Sequence, residues 1–400
     1  MSRLGARVPG WLLVAPEMFL LAWGGNHFTP LLHLYTTLGH YEQWQANLLL
    51  GMYVFGLAPG LMVASALSDR HGRKPVFLAG VALSLLGSLL LGMGLHSYPL
   101  LCIGRVLAGI GVGVAMSVGT AWVKELSSPP FEDAGAVAGA RRPSLTITLG
   151  FALGAGVTGV LAQFAPMPAV LPYIVHGALS LAALPLVLAA PESRAKARTG
   201  SAWWHDLRVP AARHRDFVGI IAPAAPWVFT AASVAYAVVP ASAEPVFGDM
   251  TTIFATILTV VTLGTGAVVQ SFAMRIDRAT GGRGLQTGLI AMAGGLLLAA
   301  AATGMRDPVL SVLTGIVLGG AYGLCMTTGL GRVQRIAVET GSGLAGLTGV
   351  YYALTYIGFL LPTPIAALLP VLPYFASLAI LAGVCLLCLA IVQRNARRAR

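Results

Sequence analysis

Apolar residues run along this chain in long blocks, and its polar positions gather in short clusters between them. Twelve such blocks can be drawn. The first six are Trp11–Leu38, Trp44–Leu67, Val76–Leu95, Leu100–Val123, Ser144–Phe164 and Ala169–Ala190; the others are Phe217–Pro240, Thr251–Met274, Leu285–Met305, Val309–Gly331, Leu344–Leu369 and Val371–Val392. Each approaches or exceeds the ~20 residues that an α-helix needs to cross a hydrocarbon core about 30 Å thick. A spanning segment must satisfy its own backbone hydrogen bonds, which a helix does. The pattern therefore predicts an all-α polytopic membrane protein with twelve transmembrane helices.

The cationic residues test that count, because one missed helix would invert the side of every later link. With both termini cytoplasmic, 23 of the 25 Lys and Arg residues fall on the cytoplasmic side, the exceptions being Arg105 and Arg306. The net charge of +11 is then a topological bias with some attraction for anionic membrane lipids, and it implies no nucleic-acid partner. Charged residues are 10% of the chain and hydrophobic ones 56%, against about 25% charged in soluble domains. Arg3 and Arg7 ahead of the first long block read as an uncleaved anchor. The expected location is the inner (plasma) membrane.

The four cysteines all lie in apolar segments, and Cys385 and Cys388 read as small packing residues, so no metal and no cofactor is expected. Motifs for intramembrane metalloproteolysis, serine hydrolysis or phosphate loops are missing, and Gly109, Gly111 and Gly113 lie in mid-helix without a preceding strand. An enzyme is the poorest reading.

The chain repeats itself once. The run from Arg105 through Gly109 to Gly113 aligns with the run from Ser311 through Gly315 to Gly319 with five identities in nine positions. The charged link Ser68–Lys74 has a looser counterpart in Arg275, Asp277, Arg278, Gly281, Gly282 and Arg283. Two pseudo-symmetric six-helix bundles follow, residues 1–193 and 217–400, joined by a basic cytoplasmic linker at 194–216. Repeats of this kind point to a transporter that rocks one half against the other around a midplane site.

The run Asp69-Arg70-His71-Gly72-Arg73-Lys74 resembles the loop between helices two and three of the major facilitator superfamily, Gly-x-x-x-Asp-Arg-x-Gly-Arg-Lys, with Ser65 in place of the leading glycine. Arg105-x-x-x-Gly109 resembles a second signature and Pro191-Glu192-Ser193 a third. Gly150 and Gly154 resemble the antiporter signature, in which Ala155 replaces the proline. The resemblance covers the whole chain and extends to bacterial drug/proton antiporter-like members. It implies a latch that closes the cytoplasmic side in the outward-open state, with a partner near Gly341-Ser342-Gly343. Within the loop, Gly72 permits a tight turn and Asp69 is expected to accept hydrogen bonds from a helix N-terminus.

Ionisable groups inside a membrane are costly and mark function. Arg105, Glu17 and His27 are the candidates for handling protons, with His33 and His176 also within apolar segments. Exchangers of this superfamily often carry an acid in the middle of helix one, where this chain has Asn26 and His27 ahead of Pro30. The resemblance directs the search for substrate contacts to helices one, four, five, seven, eight, ten and eleven. The polar and aromatic candidates there are Asn26, Thr146, Trp227, Tyr236, Gln270, Tyr322, Tyr352 and Tyr356. Few charges and several aromatic rings suggest a neutral, cationic or lipophilic small molecule. The favoured reading is a monomeric secondary transporter that exports such molecules against inward proton flow. A proton-linked or facilitative importer of a small neutral or organic-acid solute is the alternative, favoured by Ala155 and by the missing acid in helix one.

Overall fold

A computed structural model describes residues 8–194, 209–341 and 344–398, and among them there are helices and turns but no strand. The expected linker at 194–216 lies mostly outside the described residues, as do Ser342 and Gly343 of the expected latch partner. The helices are α1 (Gly10–Asn26), α2 (Leu32–Thr37), α3 (Gln43–His71), α4 (Arg73–Met93), α5 (Tyr98–Val114), α6 (Thr120–Leu126), α7 (Gly135–Phe164) and α8 (Leu171–Ala189). They continue as α9 (Ala222–Ser233), α10 (Val239–Phe247), α11 (Thr251–Ala279), α12 (Gly284–Met305), α13 (Pro308–Thr340), α14 (Leu344–Tyr356), α15 (Pro362–Ala367) and α16 (Tyr374–Arg398).

Ten described segments are long and apolar enough to cross a membrane, so the twelve predicted blocks need two adjustments. The first block is a broken helix: α1 stops at Asn26, and a 3₁₀ turn over Thr29–Leu31, with Pro30 inside it, leads into α2. The seventh and eighth blocks form one run, Phe217–Ala279, of 63 residues. Inside that run π-helical turns at Phe217–Ile221 and Val234–Val238 flank a stretch holding Pro223 and Pro226, where the missing N–H groups disturb the regular ladder. The turn that reverses it is Gly248, at φ +50°. Pro362 and Pro364 likewise divide the eleventh block into α14, a 3₁₀ turn at Ile357–Leu360, and α15.

Contacts gather the chain into two compact units. One takes in the described residues of Met1–Asn26, Phe55–Gly154 and Val170–Leu207, and the other those of His27–Val54, Ala155–Ala169 and Arg208–Arg400. The first has a core of Val14, Met18, Leu21, Phe77, Val114 and Trp122, with Phe77 edge-on to Trp122 at 5.5 Å. The second has Phe217, Ile221, Val333, Ile336, Leu347 and Tyr351. Large apolar side chains are also abundant on the outside, among them Leu89, Leu181, Val268 and Leu387, as expected of helices whose solvent is lipid.

Within lipid, helix contact depends on close packing rather than on escape from water, and small residues set the spacing. Gly113 of α5 presses on α3, where an added Cβ would lie 2.6 Å from Leu61 N and 2.7 Å from Leu57 O. Gly319 of α13 presses in the same way on Thr262 of α11. These two glycines are partners in the sequence repeat, so each unit reuses the contact between the second and fourth helices of its half.

Candidate functional site

In the first unit the signature loop is the hub of a dense polar network. Gly72 has φ +98° and ψ 163°, a region essentially reserved for glycine, and this sharp corner separates α3 from α4. An added Cβ there would lie 2.6 Å from Glu192 Oε2. The Glu192 carboxylate accepts the backbone N–H of Arg73 at 2.9 Å and of Lys74 at 3.0 Å, satisfying the start of α4 and opposing its positive dipole end. The capping role expected for Asp69 therefore belongs to Glu192. Asp69 instead accepts the Arg73 guanidinium at 2.8 Å and pairs with Arg194 at 3.3 Å, because it sits on the last turn of α3, one turn before Arg73.

Arg73 is the buried centre of this network. It donates to Ser68 Oγ at 2.7 Å and to Asp69, and its other face forks onto Glu125 of α6, with Nη2 to Oε1 at 2.7 Å. Glu125 also accepts from Ser193 Oγ. Lys74 Nζ donates to Leu188 O and Ala190 O, closing the carbonyl end of α8. Trp122 Nε1 donates to Pro191 O at 3.0 Å. The loop, Pro191-Glu192-Ser193 and the residues just past the fourth predicted helix thus meet around Arg73, the last through its guanidinium and Glu192 through its backbone N–H. Arg70 is half-buried beside them.

Gly72→Ala is expected to destabilise the protein by about 2 kcal/mol through backbone strain at a glycine-only conformation, with Glu192 displaced as well. Thermal unfolding in detergent reads this; an unchanged midpoint would refute it.

Next to this hub, Arg142 of α7 pairs with Glu132 at 2.8 Å and lies over the Trp11 ring at 4.3 Å. The guanidinium holds the Glu132 carboxyl below the usual carboxylate range.

Of the intramembrane candidates, Arg105 on α5 and Glu17 on α1 are both fully buried in this unit, with the Ser180 hydroxyl of α8 beside Glu17. Asn26 is buried and donates to Phe151 O at 3.0 Å, while the half-buried Thr146 donates to Arg142 O in its own helix. His176 acts as a clamp. Its Nε2 lies 2.9 Å from Leu20 O, which can only accept, so Nε2 carries the hydrogen and Nδ1 accepts from Ser88 Oγ at 2.8 Å. Both nitrogens are engaged, and α1, α4 and α8 are tied together.

In the second unit the copy of the loop is built differently. Asp277 Oδ1 itself accepts the Gly284 N–H at 2.8 Å and caps α12, across a turn in which Gly281 and Gly282 have φ +63° and +77°. Arg332 Nη2 donates to Gly282 O at 2.8 Å, and Arg278 is exposed. His27 is fully buried at the turn after α1.

The aromatic candidates of this unit form a stack around a residue that the sequence reading missed. Phe229 of α9 stacks on Tyr356 at 4.2 Å and on Phe359 at 5.0 Å, and meets Tyr322 at 5.6 Å. Tyr236 packs against Phe359 at 6.2 Å and Tyr53 against Tyr356 at 6.1 Å. Gly358 makes the stack possible: an added Cβ would lie 2.5 Å from Pro226 O, so the turn carrying Phe359 abuts α9, and Ser233 Oγ donates to Gly358 O at 2.9 Å. Gln270 reaches the Tyr322 hydroxyl. Trp227 is buried in α9, and the half-buried Tyr352 contacts Tyr351, whose hydroxyl is held by Met326 O at 3.2 Å. The structure thus gathers Tyr236, Gln270, Tyr322 and Tyr356 and adds Phe229, Phe359 and Tyr53. Asn26 and Thr146 belong to the other unit.

Known proteins agree with this architecture. The 3-(3-hydroxy-phenyl)propionate transporter of Escherichia coli (strain K12) is 32% identical over 118 residues, 28% of this chain and 28% of that protein. Multidrug resistance protein MdtL of Klebsiella pneumoniae (strain 342) is 31% identical over 81 residues, 20% of each. The chain therefore matches under a third of the length of these relatives. The crystal structure of nucleoside transporter NupG is similar in fold, with a TM-score of 0.72 at 15% identity, covering 97% of this chain and 99% of that one. Residues 18–346 match the sequence profile of the Major Facilitator Superfamily. With that match over most of its length and a helical membrane fold, the chain belongs to the Major Facilitator Superfamily.

Proposed function

We propose that this protein is a secondary transporter that exports small neutral, cationic or lipophilic organic molecules by alternating access, in exchange for protons. The observation that carries this reading is the stack of Phe229, Tyr322, Tyr356 and Phe359, flanked by Tyr53 and Tyr236. None of these six side chains is charged and five of them are nearly buried against one another, so ring faces and a few hydroxyls are what a ligand meets when the stack opens. Such a surface suits an aromatic or cationic ligand, since ring faces attract both. It is unsuited to a polyanion.

In this reading the two six-helix halves, 1–193 and 217–400, move as bodies about the basic cytoplasmic linker at 194–216, and the chain acts as a monomer with both termini in the cytoplasm. The Arg73 network is the cytoplasmic latch. Glu17 and Arg105 are the first candidates for proton handling, because an ionisable group inside a membrane is expensive and each residue is fully buried. His27 is the third. His176 is left out, because both of its nitrogens serve packing. The name of one relative supports the substrate class, MdtL being a multidrug resistance protein, whereas the 3-(3-hydroxy-phenyl)propionate transporter is named for an organic acid, the solute class of the second reading.

Import is the second reading, and a specific observation favours it. Ala155 stands where the antiporter signature has proline, and the middle of helix one offers Asn26 and His27 in place of an acid.

The test uses protein reconstituted in liposomes with an internal pH-sensitive dye and an imposed proton gradient. Lipophilic cations and neutral aromatic compounds are expected to dissipate the gradient, and Glu17→Gln to abolish that effect while leaving membrane insertion intact. Tyr356→Ala is expected to raise the transport KM about tenfold, through loss of roughly 1–2 kcal/mol of ring contact. If no compound couples to protons but labelled and unlabelled solute exchange across the bilayer, the export reading loses to the facilitative one.

A further inference from the structure

At the charged end of the second unit, between α12 and α16, a pocket of about 460 Å³ opens beside the α11–α12 turn. Two exposed guanidiniums, Arg283 and Arg397, flank it, and Thr280, Thr287 and Gln286 contribute to its wall. Gln286 is only 7% exposed, and its Oε1 has no hydrogen-bond partner among the described residues. A buried acceptor left unpaired is costly, and because Gln286 lines the pocket wall, a turn of its side chain that brings Oε1 to the pocket lets it take a donor from outside the chain. The hydroxyl hydrogens of Thr280 and Thr287 are already taken, by Ile276 O at 2.8 Å and by Arg283 O at 3.0 Å. Their oxygens therefore remain as acceptors. The nearest acid of the turn, Asp277, does not line the pocket; its carboxylate oxygen is on the Gly284 N–H.

The complement of two cations and a set of acceptors is an anion that carries its own hydroxyl donors. We propose that this pocket binds a phosphate ester bearing free hydroxyls, and that its source is the glycerol headgroup of an anionic phospholipid. The phosphodiester lies between Arg283 and Arg397, and a glycerol hydroxyl donates to Gln286 Oε1. The lipid source is favoured by Ile290, one helical turn beyond Gln286 on α12, which lines the same pocket and is 55% exposed. An apolar wall directly below a phosphate site suits an acyl chain. Basic pockets between helices on the cytoplasmic side of membrane proteins are a recognised setting for anionic headgroups. A neighbouring pocket of about 340 Å³ shares Gln286 but mixes Asp216 and Glu339 with Arg332 and Arg335, so its charges cancel and it is the weaker anion site.

The experiment is native mass spectrometry of the full-length protein in detergent, titrated with phosphatidylglycerol, phosphatidylcholine or phosphatidylmethanol, the last being a phosphodiester without headgroup hydroxyls. Phosphatidylglycerol is expected to be retained at least about tenfold more tightly than phosphatidylcholine. Arg283→Ala with Arg397→Ala is expected to remove that preference; both residues are exposed, so the thermal midpoint in phosphatidylcholine alone stays unchanged. Gln286→Leu, similar in volume, is expected to weaken phosphatidylglycerol about fivefold and to leave phosphatidylmethanol as it was. Equal retention by the double-arginine variant would overturn the site. Displacement of the lipid by an equal concentration of sn-glycerol 3-phosphate would overturn the lipid source in favour of a soluble phosphate ester.

Discussion

Replacing Arg73 with alanine is expected to destabilise the protein by about 3 kcal/mol, the order of magnitude for removing one partner of a buried ion pair. The residue is nearly buried, and its loss leaves Ser68, Asp69 and Glu125 facing a void where a guanidinium had satisfied all three. Arg73→Lys is expected to recover only part of the loss, because an ammonium is a point donor and cannot fork onto Glu125 while reaching Ser68. The informative comparison is the double variant Arg73→Ala with Glu125→Gln. If the pair acts as a unit, removing the stranded carboxylate relieves part of the damage, and the two effects fall short of additivity by more than about 1 kcal/mol. Unfolding in detergent, by heat or by titration with a denaturing detergent, measures each term. Strict additivity, or an unmoved midpoint in Arg73→Ala, would reduce the loop to a topological charge cluster. A transport assay on the same variants separates the roles further. A latch changes how fast the halves exchange, so flux is expected to fall more steeply than stability alone dictates.

The network also marks how far the sequence could be read. The loop itself, its glycine corner and its membership of the superfamily were legible, because the residues are contiguous and their spacing is specific. The partners were not. Glu192 lies 119 positions from Arg73 and Glu125 lies 52, and nothing local in either stretch announces a contact with α4. Proximity in sequence accordingly points to Asp69, the nearest acid, as the helix cap. In the second unit that assignment fits: Asp277 does cap α12, seven residues on. The same physical need, an acceptor for the first N–H groups of a helix, is met locally in one half and by a distant carboxylate in the other.

The aromatic stack divides in the same way. Tyr236, Tyr322 and Tyr356 stood out because a hydroxyl in an apolar segment is unusual. Phe229 and Phe359 did not, since phenylalanine in such a segment is the ordinary filler of a lipid-facing or packed surface. Only the close approach at Gly358 turns them into a shared wall. Helix ends were legible where glycine or proline set them, as at Gly72 and Pro308. The apolar pattern predicts a first helix continuous through Leu38, whereas Pro30 lies inside the 3₁₀ turn that breaks it.

The repeat gives the other large effect. Gly113→Ala and Gly319→Ala are each expected to cost about 2–3 kcal/mol, the upper range for overpacking a well-packed contact. In both places the new methyl group meets backbone, which cannot rotate away: Leu57 O and Leu61 N for Gly113, and Thr262 O for Gly319. The helices must then separate, and in lipid nothing but packing draws them back. Leucine at either position is expected to prevent accumulation of folded protein. Gly264 and Gly383, with no atom near an added Cβ, are the controls, and alanine there is expected to be neutral or slightly stabilising. The measurement is the midpoint of unfolding in detergent, with the yield of monodisperse protein for the leucine variants. Tolerance of alanine at Gly319 with sensitivity at Gly113 would mean that the second half has relaxed the contact. Equal sensitivity would mean that the five identities in nine positions persist because each half needs the same backbone approach for its own helices to pack.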